Sequence, residues 1–149
     1  MSDGSASRGP LDAAAVIRLI DENFPSMHSS KRIVMIESVA DRVARCRLKP
    51  QESSIRPGGT ISGPAMFMLA DFTIYVALIA TLGAPALPAV TSNLNINFLL
   101  RPGPADLIAE AQVIRIGRRL AYAEVRLLSD DSLDLVAHAT GSYALGSVK

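Results

Sequence analysis

The chain has 149 residues, enough for one domain with a proper hydrophobic core. Its 15 basic and 14 acidic side chains are interspersed and leave a net charge of +1, so no strong field draws in nucleic acid or an anionic membrane, and a small-molecule partner is expected. A single cysteine, Cys46, excludes an internal disulfide and a thiolate-cluster metal site and fits a reducing, cytoplasmic setting.

Residues 1–10, MSDGSASRGP, lack the apolar run of a secretory signal and read as a loose tail ahead of one domain, residues 11–149. From Leu11 to Phe24, Val16, Leu19, Ile20 and Phe24 recur at helical spacing, with Ile17 widening the apolar face. Asp12, Arg18, Asp21 and Glu22 fall mostly on the other side, so an amphipathic helix ended by Pro25 is expected on the outside of the domain. Lys31 to Val39 and Arg42 to Leu48 are rich in Val and Ile and form a candidate hairpin turning at Ala40 and Asp41. Pro50 to Gly59, with two prolines and two glycines, reads as a loop, a place where binding residues often sit.

The stretch from Ser62 to Gly83, SGPAMFMLADFTIYVALIATLG, is apolar on nearly every side and carries one charge, Asp71. That is the pattern of a helix buried all round, which needs an envelope. Its length is close to the roughly 20 residues that span a bilayer. Asp71 in its interior, Pro64 at its start and the alternating strands that follow argue instead for a core helix.

In the next segment Leu94, Ile96 and Phe98 alternate with Asn93, Asn95 and Asn97, and Thr91 falls in phase with the asparagines. Arg101 to Pro104 ends this strand. Strands over about Leu107 to Ile116 and Leu120 to Leu128 follow, joined at Gly117, Arg118 and Arg119. After a turn at Ser129 to Ser132 comes a last strand, about Leu133 to Leu145, with Leu135, Ala137 and Ala139 on one face and Val136, His138 and Thr140 on the other. Helix, two strands, buried helix and four strands suggest an antiparallel α+β layer rather than βαβ units.

Pro64 suits the first helical position, which would make Gly63 the N-cap. The amides there face outward with the positive end of the helix dipole, a site for a carbonyl oxygen acquiring negative charge; equally, Gly63 could be a simple cap. Asp71 is either a functional carboxylate or one that binds loop backbone and holds the fold. It lies eight residues beyond Gly63, roughly 12 Å at the helical rise, so the two meet at one reacting atom only if two helices lie antiparallel across a two-fold axis. Thr91 could hold a water for Asp71 or be an ordinary β-branched strand residue, and Arg118 and Arg119 could meet phosphates or simply be solvated. His28 and His138 have no metal-ligand spacing, no GxSxG elbow or phosphate loop appears, and Cys46 reads as core.

RPGGTISGPAMFMLAD, AVTSNLNINFLLRPGPADL and GRRLAYAEVRL resemble the PaaI-like acyl-CoA thioesterases of the hotdog fold, over about Ile33 to Leu145. The resemblance implies a curved antiparallel sheet wrapped around one long buried helix, with subunits joined into homodimers and homotetramers. It implies that the Gly63 amide polarises a thioester carbonyl, that Asp71 acts as general base or nucleophile, and that Thr91 assists the water. Arg118 and Arg119 would contact coenzyme A, which enters with the acyl-CoA substrate and not as a cofactor. Where that family has His-Gly-Gly at the helix start, this chain has Ser62, Gly63 and Pro64, and Arg56 replaces an asparagine six residues before Ser62. Arg56 could donate to the carbonyl or pair with Asp71. The rival reading is a non-catalytic acyl-CoA-binding module.

Overall fold

The computed structural model describes residues 10–24 and 33–146. Residues 1–9 of the expected tail, Pro25 and His28 lie outside the described residues.

The first helix, α1 (Ala13–Asn23), starts where Asp12 accepts a hydrogen bond from the Ala15 amide at 2.9 Å, and it buries Val16 and Ile20 in the common core. Asp12 is therefore the N-cap, a role for which its short side chain is well suited. Strands β1 (Val34–Ala40) and β2 (Val43–Leu48) form the expected hairpin, with the turn one residue later than read, at Asp41 and Arg42. Arg42 takes a positive φ there, and its amide is held by the Thr81 hydroxyl at 2.8 Å.

The segment read as a loop holds the first strand and the turn of a small hairpin, β3 (Ile55–Arg56) and, just beyond it, β4 (Thr60–Ile61). Gly58 and Gly59 both turn it at positive φ, which side chains with a Cβ adopt only at a cost. The long helix α2 (Gly63–Leu82) follows, 20 residues capped at its end by Gly83. Then come β5 (Val90–Phe98), β6 (Leu107–Ile116), β7 (Leu120–Ser129) and β8 (Leu135–Ala144).

Six strands make one antiparallel sheet in the order β1-β2-β6-β7-β8-β5, with β5 at one edge and β1 at the other. The sheet faces α2 with many small side chains, among them Ala109, Ala111, Ala123, Ala137 and Ala139, all buried. Small residues let the helix lie close, so that Leu69, Ile74, Leu78 and Ile79 pack at near-zero exposure. Each such side chain taken out of water contributes about 1.5–3 kcal/mol before the entropy of folding is set against it. By length and composition α2 could cross a membrane, yet 67% of its apolar window is buried inside the fold.

The envelope is incomplete in one place, and there the expectation of burial all round needs correction. Pro64, Phe67 and Met68 are exposed, while Asp71 and Tyr75 are half-buried. Their spacing puts them on one stripe of the first half of α2. Asp71 therefore lies at the one seam where a carboxylate escapes the cost of a dry interior.

Two bulges also alter the strand faces. In β5 the register passes from Thr91 opposite Tyr143 to Asn93 opposite Ser142, leaving Ser92 unpaired. The extra residue shifts the phase, so Thr91 joins Leu94 and Ile96 on the helix side rather than the asparagines. In β8 the register skips Val136, which joins the buried core although strict alternation puts it on the face of His138. The Val136 carbonyl instead accepts from the amides of Leu99 and Leu100 at 2.8 and 3.2 Å.

On the outer face, Arg47 pairs with Glu37, with Asp106 at 3.0 Å and with Asp130 at 2.9 Å, tying β2 to its neighbours. Burial alone would raise the Glu37 pKa, but hydrogen bonds from Arg47 and Arg45 hold it below the ordinary range.

Gly141, on β8, marks the tightest approach. A Cβ there would stand 2.6 Å from Leu94 Cδ1, 3.0 Å from the Asn93 carbonyl oxygen and 3.2 Å from Ile74 Cδ1. Gly141→Ala is expected to destabilise the protein by about 1–3 kcal/mol through overpacking. Urea unfolding at fixed protein concentration measures this, and an unchanged midpoint would contradict it.

Candidate active site

At the start of α2 the structure revises the capping expectation. Ser62, not Gly63, is the N-cap: its Oγ accepts from the Ala65 amide at 3.2 Å and its carbonyl from the Met66 amide at 3.1 Å. A hydroxyl satisfies helix-end amides better than a bare glycine, and Pro64 fits one position further in because its missing N–H is one of those left unpaired anyway. The consequence for Gly63 is specific. Of the first four helical residues, Pro64 has no N–H and Ala65 and Met66 are satisfied, so the Gly63 amide is the one that meets no acceptor among the described residues. It sits at the positive end of the helix dipole with the Phe98 ring against it, 3.4 Å from where a Cβ would be.

Beside this helix start lies a cleft of about 510 Å³, lined by Arg56, Thr60, Met66, Phe98 and Arg101 among others. Arg56 is exposed on its wall and is not among the residues around Asp71, so within one subunit it does not pair with that carboxylate.

Asp71 and Thr91 are brought together. The Thr91 hydroxyl donates to Asp71 Oδ1 at 2.7 Å. A residue not singled out in the sequence joins them: Tyr143 donates its one hydroxyl hydrogen between Asp71 Oδ1 at 2.7 Å and the Asp71 carbonyl at 2.8 Å. Thr91 and Tyr143 are direct cross-strand partners of β5 and β8. No donor meets Asp71 Oδ2 among the described residues. The carboxylate borders a cleft of about 610 Å³ with mostly apolar walls, including Phe24, Met68, Phe72, Tyr75 and Val90. A period of two carried on from Ala137 and Ala139 reaches Tyr143, so its inward position was readable in principle.

The aromatic residues brace one another. Tyr75 stacks on Tyr143 with ring centroids 6.1 Å apart and planes 17° from parallel. It also donates to the Leu87 carbonyl at 2.7 Å and meets Phe24 edge-on at 6.0 Å.

The Asp71 cleft and the Arg56 cleft share no lining residue. They flank opposite ends of β5, with Val90 and Thr91 at one and Phe98 at the other; the seven residue steps from Thr91 to Phe98 span about 23 Å. Arg118 and Arg119 stand apart from both. With Arg115, Tyr122 and Ser142 they line a third cleft of about 480 Å³ at the β6–β7 turn. His138 is engaged elsewhere, 3.0 Å from Glu124. No group of three or more His, Cys, Asp or Glu among the described residues could hold a metal ion.

Burial above all pushes the Tyr143 phenol up; the Thr91 hydroxyl acts against it, and the Asp71 carboxylate adds to the rise; burial also raises Tyr75. In the unfolded chain a phenol ionises near pH ~10, so above that pH the unfolded state binds fewer protons than the native state and stability falls as pH rises. Below it this contribution is fully present. Tyr143→Phe is therefore expected to make the loss of stability above about pH 10 less steep, read from urea midpoints at successive pH values. The 295 nm phenolate absorbance of the folded protein at that pH should be the same in variant and wild type.

Comparison with known proteins agrees with this architecture. The profile of the Thioesterase superfamily matches residues 58–136. A protein of Halobacterium salinarum that carries an esterase name is 31% identical over 141 residues, 89% of this chain and 91% of its own. A crystal structure from a Silicibacter species, described as a candidate thioesterase, is 35% identical and superposes with a TM-score of 0.81 over 92% of this chain and 93% of its own. The Escherichia coli PaaI protein of the phenylacetic acid degradation operon shares the fold at 20% identity, with a TM-score of 0.74 over 91% and 96% of the two chains. The chain thus belongs to the thioesterase superfamily, as a hotdog protein PaaI-like in architecture.

Proposed function

We propose that the protein is a cytoplasmic acyl-CoA thioesterase whose active site is shared between two subunits. The observation that carries this reading is the Asp71 carboxylate, held at Oδ1 by two hydroxyls and open at Oδ2 beside an apolar cleft. Such a group, fixed but not neutralised, can take a proton from water or attack a carbonyl.

In the hydrolytic sequence the thioester carbonyl oxygen accepts a hydrogen bond from the Gly63 amide, which steadies the negative charge that develops there. Asp71 Oδ2 takes a proton from a water held by Thr91, and the water oxygen bonds to the carbonyl carbon. Collapse of the tetrahedral intermediate breaks the carbon–sulfur bond. Coenzyme A leaves as a thiolate and takes up the proton, leaving the free acid. Used as a nucleophile instead, Asp71 would form an anhydride that water then cleaves. Neither route needs a cofactor.

The two half-sites lie at opposite ends of β5, which supports an antiparallel pairing of this edge strand with that of a second copy. An edge strand offers unpaired backbone groups, and a two-fold axis across it brings the start of one β5 beside the end of the other. The exposed Phe67, Met68, Phe98, Leu99 and Leu100 supply apolar area for such a contact. Pairing of dimers into a homotetramer is the further expectation. Arg118 and Arg119, with Arg115, suit the phosphates of coenzyme A at the third cleft.

Asp71→Asn is expected to lower thiol release from a panel of acyl-CoA thioesters by about 10²- to 10⁴-fold in folded protein. Unchanged hydrolysis would sink the catalytic assignment, and acyl-CoA binding without thiol release by the wild type would point to the binding module. Subunit sharing has its own test. Asp71→Asn and Gly63→Pro, which removes the amide hydrogen itself, are refolded together; half the dimers are then mixed and each carries one intact site, so about a quarter of wild-type activity should return. No recovery in mixed dimers would place both groups in one subunit's site.

A further inference from the structure

We infer that Tyr143 is a positioning residue for the reaction, its hydroxyl locking the Asp71 side chain in the rotamer that presents Oδ2 to the cleft. This rests on the reading of Asp71 as the acting carboxylate and adds a residue to it.

The geometry is unusually constrained for one hydroxyl. Its hydrogen lies between Asp71 Oδ1 and the Asp71 backbone carbonyl, 2.7 and 2.8 Å away. Contact with both fixes the side chain relative to its own backbone, which contact with the carboxylate alone would not. Tyr143 can hold that position because it is 4% exposed and stacked on Tyr75, itself tied to Leu87. Thr91 is differently placed. It is exposed, and with its hydrogen on Asp71 its oxygen can still accept from a water in the cleft. The two cross-strand partners thus divide the work, Tyr143 orienting the carboxylate and Thr91 facing the water. Burial also keeps the Tyr143 phenol protonated through the usual phenol range, so it stays a donor there.

The test is Tyr143→Phe, which keeps the ring and removes the hydroxyl, assayed by thiol release from acyl-CoA thioesters beside wild type, Tyr143→Leu and Asp71→Asn. Circular dichroism and a melting midpoint above the assay temperature establish that each variant is folded. The expected result is a kcat for Tyr143→Phe lowered about tenfold with KM within about twofold, because orientation acts on the reaction and not on acyl binding. A kcat equal to wild type in Tyr143→Phe, with loss confined to Tyr143→Leu, would assign the residue to packing and overturn the inference while leaving Asp71 in place. A change confined to KM would overturn it as well. Activity retained by Asp71→Asn would remove the reading beneath it, a result distinguishable from either.

Discussion

A helix without a polar side cannot rest on a surface, and most of this fold follows from enclosing one. The second half of α2 presents Val76, Ala77, Leu78, Ile79 and Ala80 in succession, all buried. No single flat layer covers every side of such a rod. The curved sheet covers most of it by lining its concave face with alanines and Gly141, while α1 adds Val16 and Ile20 to the same core. Large side chains on the helix against small ones on the strands bring the axis close to the sheet without voids.

The candidate site lies at the place where that enclosure stops. The uncovered stripe from Pro64 to Tyr75 runs beside β5, the strand with an unpaired edge. Asp71 gains hydrogen bonds there that repay its removal from bulk water, and it keeps an oxygen turned to the cleft. Gly63 gains the opposite quality, an amide that the capping arrangement leaves unmatched. In the proposed dimer these two incomplete ends complete each other, which gives one reason for a single helix to carry both.

The large elements were legible because their periodicities are long and unambiguous. The all-round apolar run marks α2 within one residue at each end, and alternation of asparagine with Leu94, Ile96 and Phe98 marks β5 and its inner face. Spacing alone set Gly63 and Asp71 apart. What escaped was local. A bulge has no compositional signature in TSN, so alternation alone puts Thr91 with the asparagines, and it is equally blind to the register skip at Val136. The Ser62 cap was hidden by proline, whose preference for the first helical position is statistical and gives way to the better acceptor next door. Tyr143 carries meaning only through a partner 72 residues away, which no local pattern encodes.

The bulge at Ser92 makes the contact between Thr91 and Asp71 a matter of parity. Upstream of it Thr91 faces the helix, and downstream Leu94 and Ile96 do so, although the interval between Thr91 and Leu94 is odd. Removing one residue there would leave the downstream packing in register and turn the threonine hydroxyl outward, away from Asp71. A change of one in the length of a strand would thus separate the two properties that the strand joins, keeping the architecture and discarding the contact. For this stretch of chain, counting residues is as informative as naming them.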